Sequence, residues 1–215
     1  GLSLADEAAV AAIAGELTPF AAGSVYCITI GVCRAVADYR RAGEWTEAAT
    51  RWCERQSVTG FPGICRVHRA EIMRLRGALS DAESEARAGL EQLMAFAMQS
   101  SAGWGFNEIG EIRRRLGDLD AAEEAFDEAH RFGQEPQPGM ALVYLARGRV
   151  DAARASIAAA LADTEAPLWR VRLLPARAEI ALAAHDVAEA REAADELQEI
   201  AATYDKPMLH AAVDQ

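Results

Sequence analysis

The hydrophobic positions of this chain fall at helical spacing in short amphipathic segments, separated by tight turns, and the arrangement repeats. Five stretches align: AGEWTEAATRWCER, RGALSDAESEARAG, LGDLDAAEEAFDEA, RGRVDAARASIAAA and AHDVAEAREAADEL, on the anchors Gly43, Gly77, Gly117, Gly148 and His185. Five residues after each anchor stands an alanine: Ala48, Ala82, Ala122, Ala153 and Ala190. Nine after it stands an apolar residue: Trp52, Ala86, Phe126, Ile157 and Ala194. An anchor that accepts a left-handed backbone ends one helix. A small residue then lets the next helix lie close, and a larger one a turn later fills the space beyond. The best-formed unit is NEIGEIRRRLGDLDAAEEAFDEA. There Gly117 ends the first helix, and Asp118 and Asp120 open the second beside its exposed amides. Ala122 marks the close approach, Phe126 fills the space beyond it, and Gly110 removes bulk that would hold the partner helix away.

The pattern predicts an all-α fold: a tetratricopeptide-like helical-hairpin solenoid, wound as a right-handed superhelix of about five helix pairs. A helix is expected over 3–14. Pairs follow at 20–40 with 44–57, 63–76 with 79–98, 103–116 with 119–132, 137–147 with 150–163, and 168–184 with 187–203. Pro62, Pro136, Pro138 and Pro167 mark starts or linkers, and Pro175 should kink its helix or shift its start. Residues 1–215 read as one repeat domain with partial repeats at 1–15 and 206–215, which suggests a fragment of a longer chain.

Composition narrows the function. The chain is 51% hydrophobic and 26% charged, as in soluble globular domains. With 33 acidic against 22 basic residues the net charge is −11, so this segment is not expected to touch nucleic acid directly. Lys206 is the only lysine, which excludes a Gly-Lys-Ser/Thr phosphate loop and leaves no buried lysine for Schiff-base chemistry. Asp6 and Glu7 stand where a signal peptide would carry positive charge. The uncharged run Leu17–Cys33 contains Pro, Thr, Ser and Gly and reads as a buried helix, not a membrane span. A cytoplasmic protein with no membrane contact is expected. Cys27, Cys33, Cys53 and Cys65 form no C-x-x-C, and Cys65 with His68 is too little for zinc, so free thiols are expected and no metal or cofactor. A Cys53–Cys65 disulfide is the alternative. His68, His130, His185 and His210 are scattered, and no H-E-x-x-H, G-x-S-x-G or G-x-G-x-x-G occurs, so no enzyme is indicated.

Five segments carry a likeness to a known family: WTEAATRWCERQ, CRVHRAEIMRLRG, GEIRRRLGDLDAAEEAF, EPQPGMALVYLARGRVDAA and LLPARAEIALAAHDVAEAREAADEL. Together they resemble the tetratricopeptide region of large actinobacterial LuxR-type transcriptional regulators. In that family such a region lies between a nucleotide-binding ATPase module and a C-terminal helix-turn-helix, and some relatives carry an adenylate cyclase-like module at the N-terminus. The resemblance implies a non-catalytic sensor or interaction segment within a transcriptional regulator.

In a solenoid of this kind the first helix of each pair lines the concave face. Six residues before the anchors stand Ala37, Glu71, Glu111, Leu142 and Glu179, and three before stand Arg40, Arg74, Arg114, Leu145 and Leu182. Glu71–Arg74 and Glu111–Arg114 are therefore expected as i,i+3 pairs on successive helices, with Trp104 and Asn107 earlier on the face of Glu111. The candidate binding residues are Arg40, Glu71, Arg74, Trp104, Asn107, Glu111, Arg114 and Glu179, edging a groove for a peptide's charges. Such pairs also occur as ordinary solvated helix pairs worth about 0.2–0.5 kcal/mol, and the row Arg113–Arg115 reads as a solvated face. Trp45, Trp52, Trp104 and Trp169 are by default expected in the core, with Trp104 the one to test as a groove residue. The expected partner is a protein or peptide, or another domain of the same chain. A small-molecule effector is the alternative, and a homodimer is a further option.

Overall fold

Alanine-rich amphipathic segments with left-handed residues between them fold as the repeat predicts. The computed structural model describes residues 2–35, 38–56, 63–95 and 101–204, and all regular structure among them is helical. The opening helix α1 (Leu2–Ala14) packs on α2 (Pro19–Ala35), which pairs with α3 (Tyr39–Gln56). Further pairs follow: α4 (Gly63–Leu75) with α5 (Leu79–Ala95), α6 (Ala102–Arg115) with α7 (Leu119–Arg131), and α8 (Gly139–Ala146) with α9 (Val150–Ala162). A short α10 (Pro167–Arg170) precedes the last pair, α11 (Leu174–Ala183) with α12 (Val187–Tyr204). The first helices α2, α4, α6, α8 and α11 touch one another in sequence, and each second helix also packs on the first helix of the next pair. The chain is an all-α helical solenoid.

Four anchors behave as expected. Gly77, Gly117 and Gly148 have φ of 85°, 81° and 73°, and His185 has φ 60°. Each closes its helix with the same two bonds. In the third pair Gly117 N–H donates to the Arg114 carbonyl at 3.1 Å and Asp118 N–H to Arg113 at 3.0 Å; the last pair repeats this with His185 to Leu182 at 3.0 Å and Asp186 to Ala181 at 2.9 Å. His185 is the non-glycine member and carries the Cβ penalty of that conformation. Replacing it with glycine relieves ~1–2 kcal/mol of strain against ~0.4–1 kcal/mol of added unfolded-state entropy. His185→Gly should therefore raise the urea midpoint modestly, and His185→Ala should not.

The seam lies where the alanines predict. Ala82, Ala122 and Ala153 are fully buried and Ala190 nearly so. Phe126, also fully buried, sits between Gly110 and Gly139: a Cβ on Gly110 would lie 2.5 Å from Phe126 Cε1, and one on Gly139 would press closer still on its Cζ.

Three expectations are corrected. Gly43 is not a turn. α2 ends at Ala35, and Asp38 caps α3 by accepting from Arg41 N–H at 3.2 Å. Gly43 lies inside α3, where a Cβ would come 3.0 Å from Arg76 Nη2. The buried face of α3 is Ala42, Thr46, Ala49 and Trp52, so Ala48 is only half-buried. Ala194 is exposed, and Ala193 and Leu197 fill the last pair instead. Pro175 shifts the start of its helix as expected: α11 begins at Leu174, and residues 171–173 form a turn after α10. The tail 206–215, Ala37 and Pro62 lie outside the described residues.

α2 is a packed helix, with Tyr26, Ile30 and Cys33 fully buried, and Tyr26 lies 6.3 Å from Trp45 and 5.9 Å from Trp52 between ring centroids. Among the described residues no helix is long and apolar enough to cross a membrane.

Candidate binding groove

Three open recesses surround the segment from α10 to the start of α11: two lie mainly against first helices, and one lies mainly against α9 and the segment before α8. One, of about 410 Å3, lies between α2, α4 and α6, lined by Ile28, Val32, Arg34, Ile64, His68, Ser101 and Trp104, with Trp169 and Arg172 across from them. A second, of about 490 Å3, runs from Trp104 past Gln134, Gln137 and Ser156 to Trp169 and Arg172. The third, of about 240 Å3, includes Tyr39, Glu71, Arg74, Glu111, Arg114, Arg172 and Glu179. Trp104 and Trp169 border the first two, and Arg172 borders all three.

The floor is a ladder of buried charge. Arg34 of α2 pairs with Glu71 of α4, and its Nη1 lies 2.8 Å from His68 Nδ1. The Arg34 guanidinium also stands 5.4 Å from the Trp104 ring centre. One step on, Arg74 of α4 grips Glu108 of α6 with both arms of its fork, at 2.5 and 3.2 Å. Glu71, Arg74 and Glu108 are all buried. Burial drives His68 down to about 3, with Arg34 adding to the effect, so the ring is neutral. Burial pushes Glu71 up, but Arg34, Arg172 and Arg74 outweigh it and hold the carboxyl below its ordinary range. Glu108 behaves oppositely. Burial raises it to about 7, because one gripping guanidinium is opposed by Glu71 and Glu111. Arg74 is held charged against its own burial by Glu108, Glu111 and Glu71. The two partners thus answer unequally because their surroundings differ: several carboxylates act on Arg74, whereas Glu108 is pulled down by one guanidinium.

The predicted residues divide accordingly. Glu71, Arg74, Glu111, Arg114 and Glu179 do gather around one recess, and Trp104 is half-buried at the meeting of the other two. Glu111–Arg114 is the expected i,i+3 pair, at 3.1 Å. Glu71 and Arg74 are not each other's partners; both are spent on neighbouring helices. Arg40 stands apart, exposed and paired with Glu44 at 2.7 Å. Asn107 is half-buried on α6 and lines none of the three recesses. The row Arg113–Arg115 is taken up by Glu83, Asp118 and Glu111.

Two groove residues carry no repeat signal. Trp169, expected in the core, is 47% exposed. Arg172 sits in the turn that Pro175 creates, between the buried Val171 and Leu173. Arg170, two residues earlier, is fully committed. Its Nη1 donates to the Leu161 and Thr164 carbonyls at 2.7 and 3.0 Å, and its fork holds Glu196 of α12. Arg172 is half-buried, and its side chain makes no hydrogen bond or ion pair among the described residues. The four cysteines are free thiols, and burial raises Cys53 to about 11.

These features define a class by architecture: an all-α solenoid with open, partly charged recesses around the segment that leads into its last helix pair. The chain resembles in fold the crystal structure of BtubC (BKLC) from P. vanneervenii, with a TM-score of 0.57 over 95% of this chain and 91% of that one, at 17% identity. No protein-family model and no curated protein matches the sequence.

Proposed function

We propose that this solenoid is a non-catalytic interaction domain whose groove takes an extended protein or peptide segment. The observation that carries the reading is the position of Arg172, which borders three open recesses formed by α2, α4, α6, α8, α9 and the turn before α11. A closed, mostly apolar cavity would favour a small effector; open recesses with mixed linings suit a chain. In a regulator of the LuxR type that the sequence resembles, the captured segment would belong to a partner protein or to another module of the same chain, and its binding would set the regulator's activity.

Arg74 cannot test this, since its loss would strand Glu108 and disturb the fold. Trp104 can. Short random peptides displayed on phage and selected on the whole protein should yield binders, and Trp104→Ala should weaken them about tenfold, as aromatic anchors of interfaces do. A library that yields no binder, together with a specific melting shift from a small molecule alone, would replace this reading with the effector-binding one.

A further inference from the structure

We propose that the junction of the recesses is a single-carboxylate subsite, in which Arg172 takes one Asp or Glu side chain of the bound segment and Trp104 and Trp169 take an aromatic residue beside it. The inference rests on the groove reading above and names the chemistry of its occupant.

Three observations carry it. First, Arg172 is the one half-buried or buried arginine without an ion-pair partner among the described residues; the other unpaired ones, Arg55 and Arg191, are exposed. The neighbouring cation, Arg34, is already spent on Glu71 and His68. A guanidinium held partly out of water gains more from an incoming carboxylate than an exposed one does, and its planar fork suits that group. Second, the turn that displays Arg172 is fixed, not loose: Val171 and Leu173 are buried on either side, and Leu173 N–H donates to the Arg170 carbonyl at 2.8 Å. Third, the surroundings select a single charge. Among the described residues, the recess between α2, α4 and α6 has no acidic residue in its lining, whereas Glu135 and Asp163 line the second and Glu71, Glu111 and Glu179 the third. A chain of net charge −11 also repels a polyanion as a whole. One carboxylate entering beside Arg172 on the acid-free side meets a cation and two indole rings; a run of acids would meet the flanking carboxylates.

The test uses the selected peptides, resynthesised in pairs with each Asp or Glu changed to Asn or Gln, and titrated against the wild-type protein and Arg172→Gln. Arg172 makes no side-chain hydrogen bond among the described residues, but its charge helps hold the buried Glu71 low. Arg172→Gln should therefore melt somewhat below the wild type, and the titrations are run well below its melting temperature. The expected result is that binders carry one acid next to an aromatic residue. Removing the acid should cost about tenfold in affinity for the wild type, ~1.4 kcal/mol, and less than about twofold for Arg172→Gln. Arg172→Lys should recover only part of the discrimination. Binders without an acid, or an acid-to-amide loss of equal size in both proteins, would overturn the subsite. If those binders still lost affinity with Trp104→Ala, the groove itself would stand. A library with no binders at all would remove both.

Discussion

Arg74→Ala should cost about 3–5 kcal/mol of stability, because it leaves a buried carboxylate without its partner. Glu108 is buried, and its ordinary value of 4.5 is already raised to about 7 with Arg74 present. A group raised on folding contributes stability that is complete below its unfolded value and fades as pH climbs through the folded one. The wild-type urea midpoint should therefore contain a Glu108 contribution that falls between about pH 5 and 8, and Glu108→Gln should flatten it. Glu71, held low, acts in another window: its contribution is present above 4.5 and is lost in stronger acid. In Arg74→Ala the stranded Glu108 can escape its charge only by taking a proton, so the variant should suffer much more at pH 8 than at pH 5. An Arg74→Ala protein that unfolds with the wild type at pH 8 would mean the ladder between α4 and α6 does not exist.

Phe126→Ala should be comparably harmful, at about 3–5 kcal/mol, since the ring is wholly buried between two helix pairs. The sharper expectation concerns Gly110. Alone, Gly110→Ala drives a methyl to within 2.5 Å of the Phe126 ring. The overpacking costs ~1–3 kcal/mol and outweighs the ~1 kcal/mol that alanine gains over glycine in a helix. With Phe126 already truncated the clash is gone, and Gly110→Ala should become stabilising by up to about 1 kcal/mol. The sign reversal is the signature of direct contact. Urea midpoints of the two single variants and the double variant measure it, and an effect of the same sign in both backgrounds would contradict the packing.

The same pair shows which parts of the fold were legible. Gly110, Gly117, Ala122 and Phe126 carry local instructions: a missing side chain, a left-handed turn, a small contact and a filler, at offsets set by helical geometry. Where the same logic met Gly43 it failed, because a glycine can serve close packing as well as a turn. The informative residue was Asp38, whose side chain caps α3. The candidate groove was half legible. Counting back from the anchors picked out Glu71, Arg74, Glu111, Arg114 and Glu179, which the fold does gather around one recess. It could not assign partners. Arg34 with Glu71 and Arg74 with Glu108 lie on helices of successive pairs, and any one-helix rule offers Glu71 and Arg74 to each other instead. Arg172 escaped for a different reason. It belongs to no repeat position: Pro175 expels it from the last first helix, and only the folded chain returns it to the junction of the recesses.

The indole N–H resonances give the most direct test of the groove. The protein has four tryptophans, each assignable by its own Trp→Phe variant. On titration with a selected peptide, Trp104 and Trp169 should shift, while Trp45 and Trp52, packed around Tyr26 between α2 and α3, should stay in place. Shifts at Trp45 and Trp52 with Trp104 and Trp169 unmoved would show that partners are held elsewhere and that the groove is not the binding face.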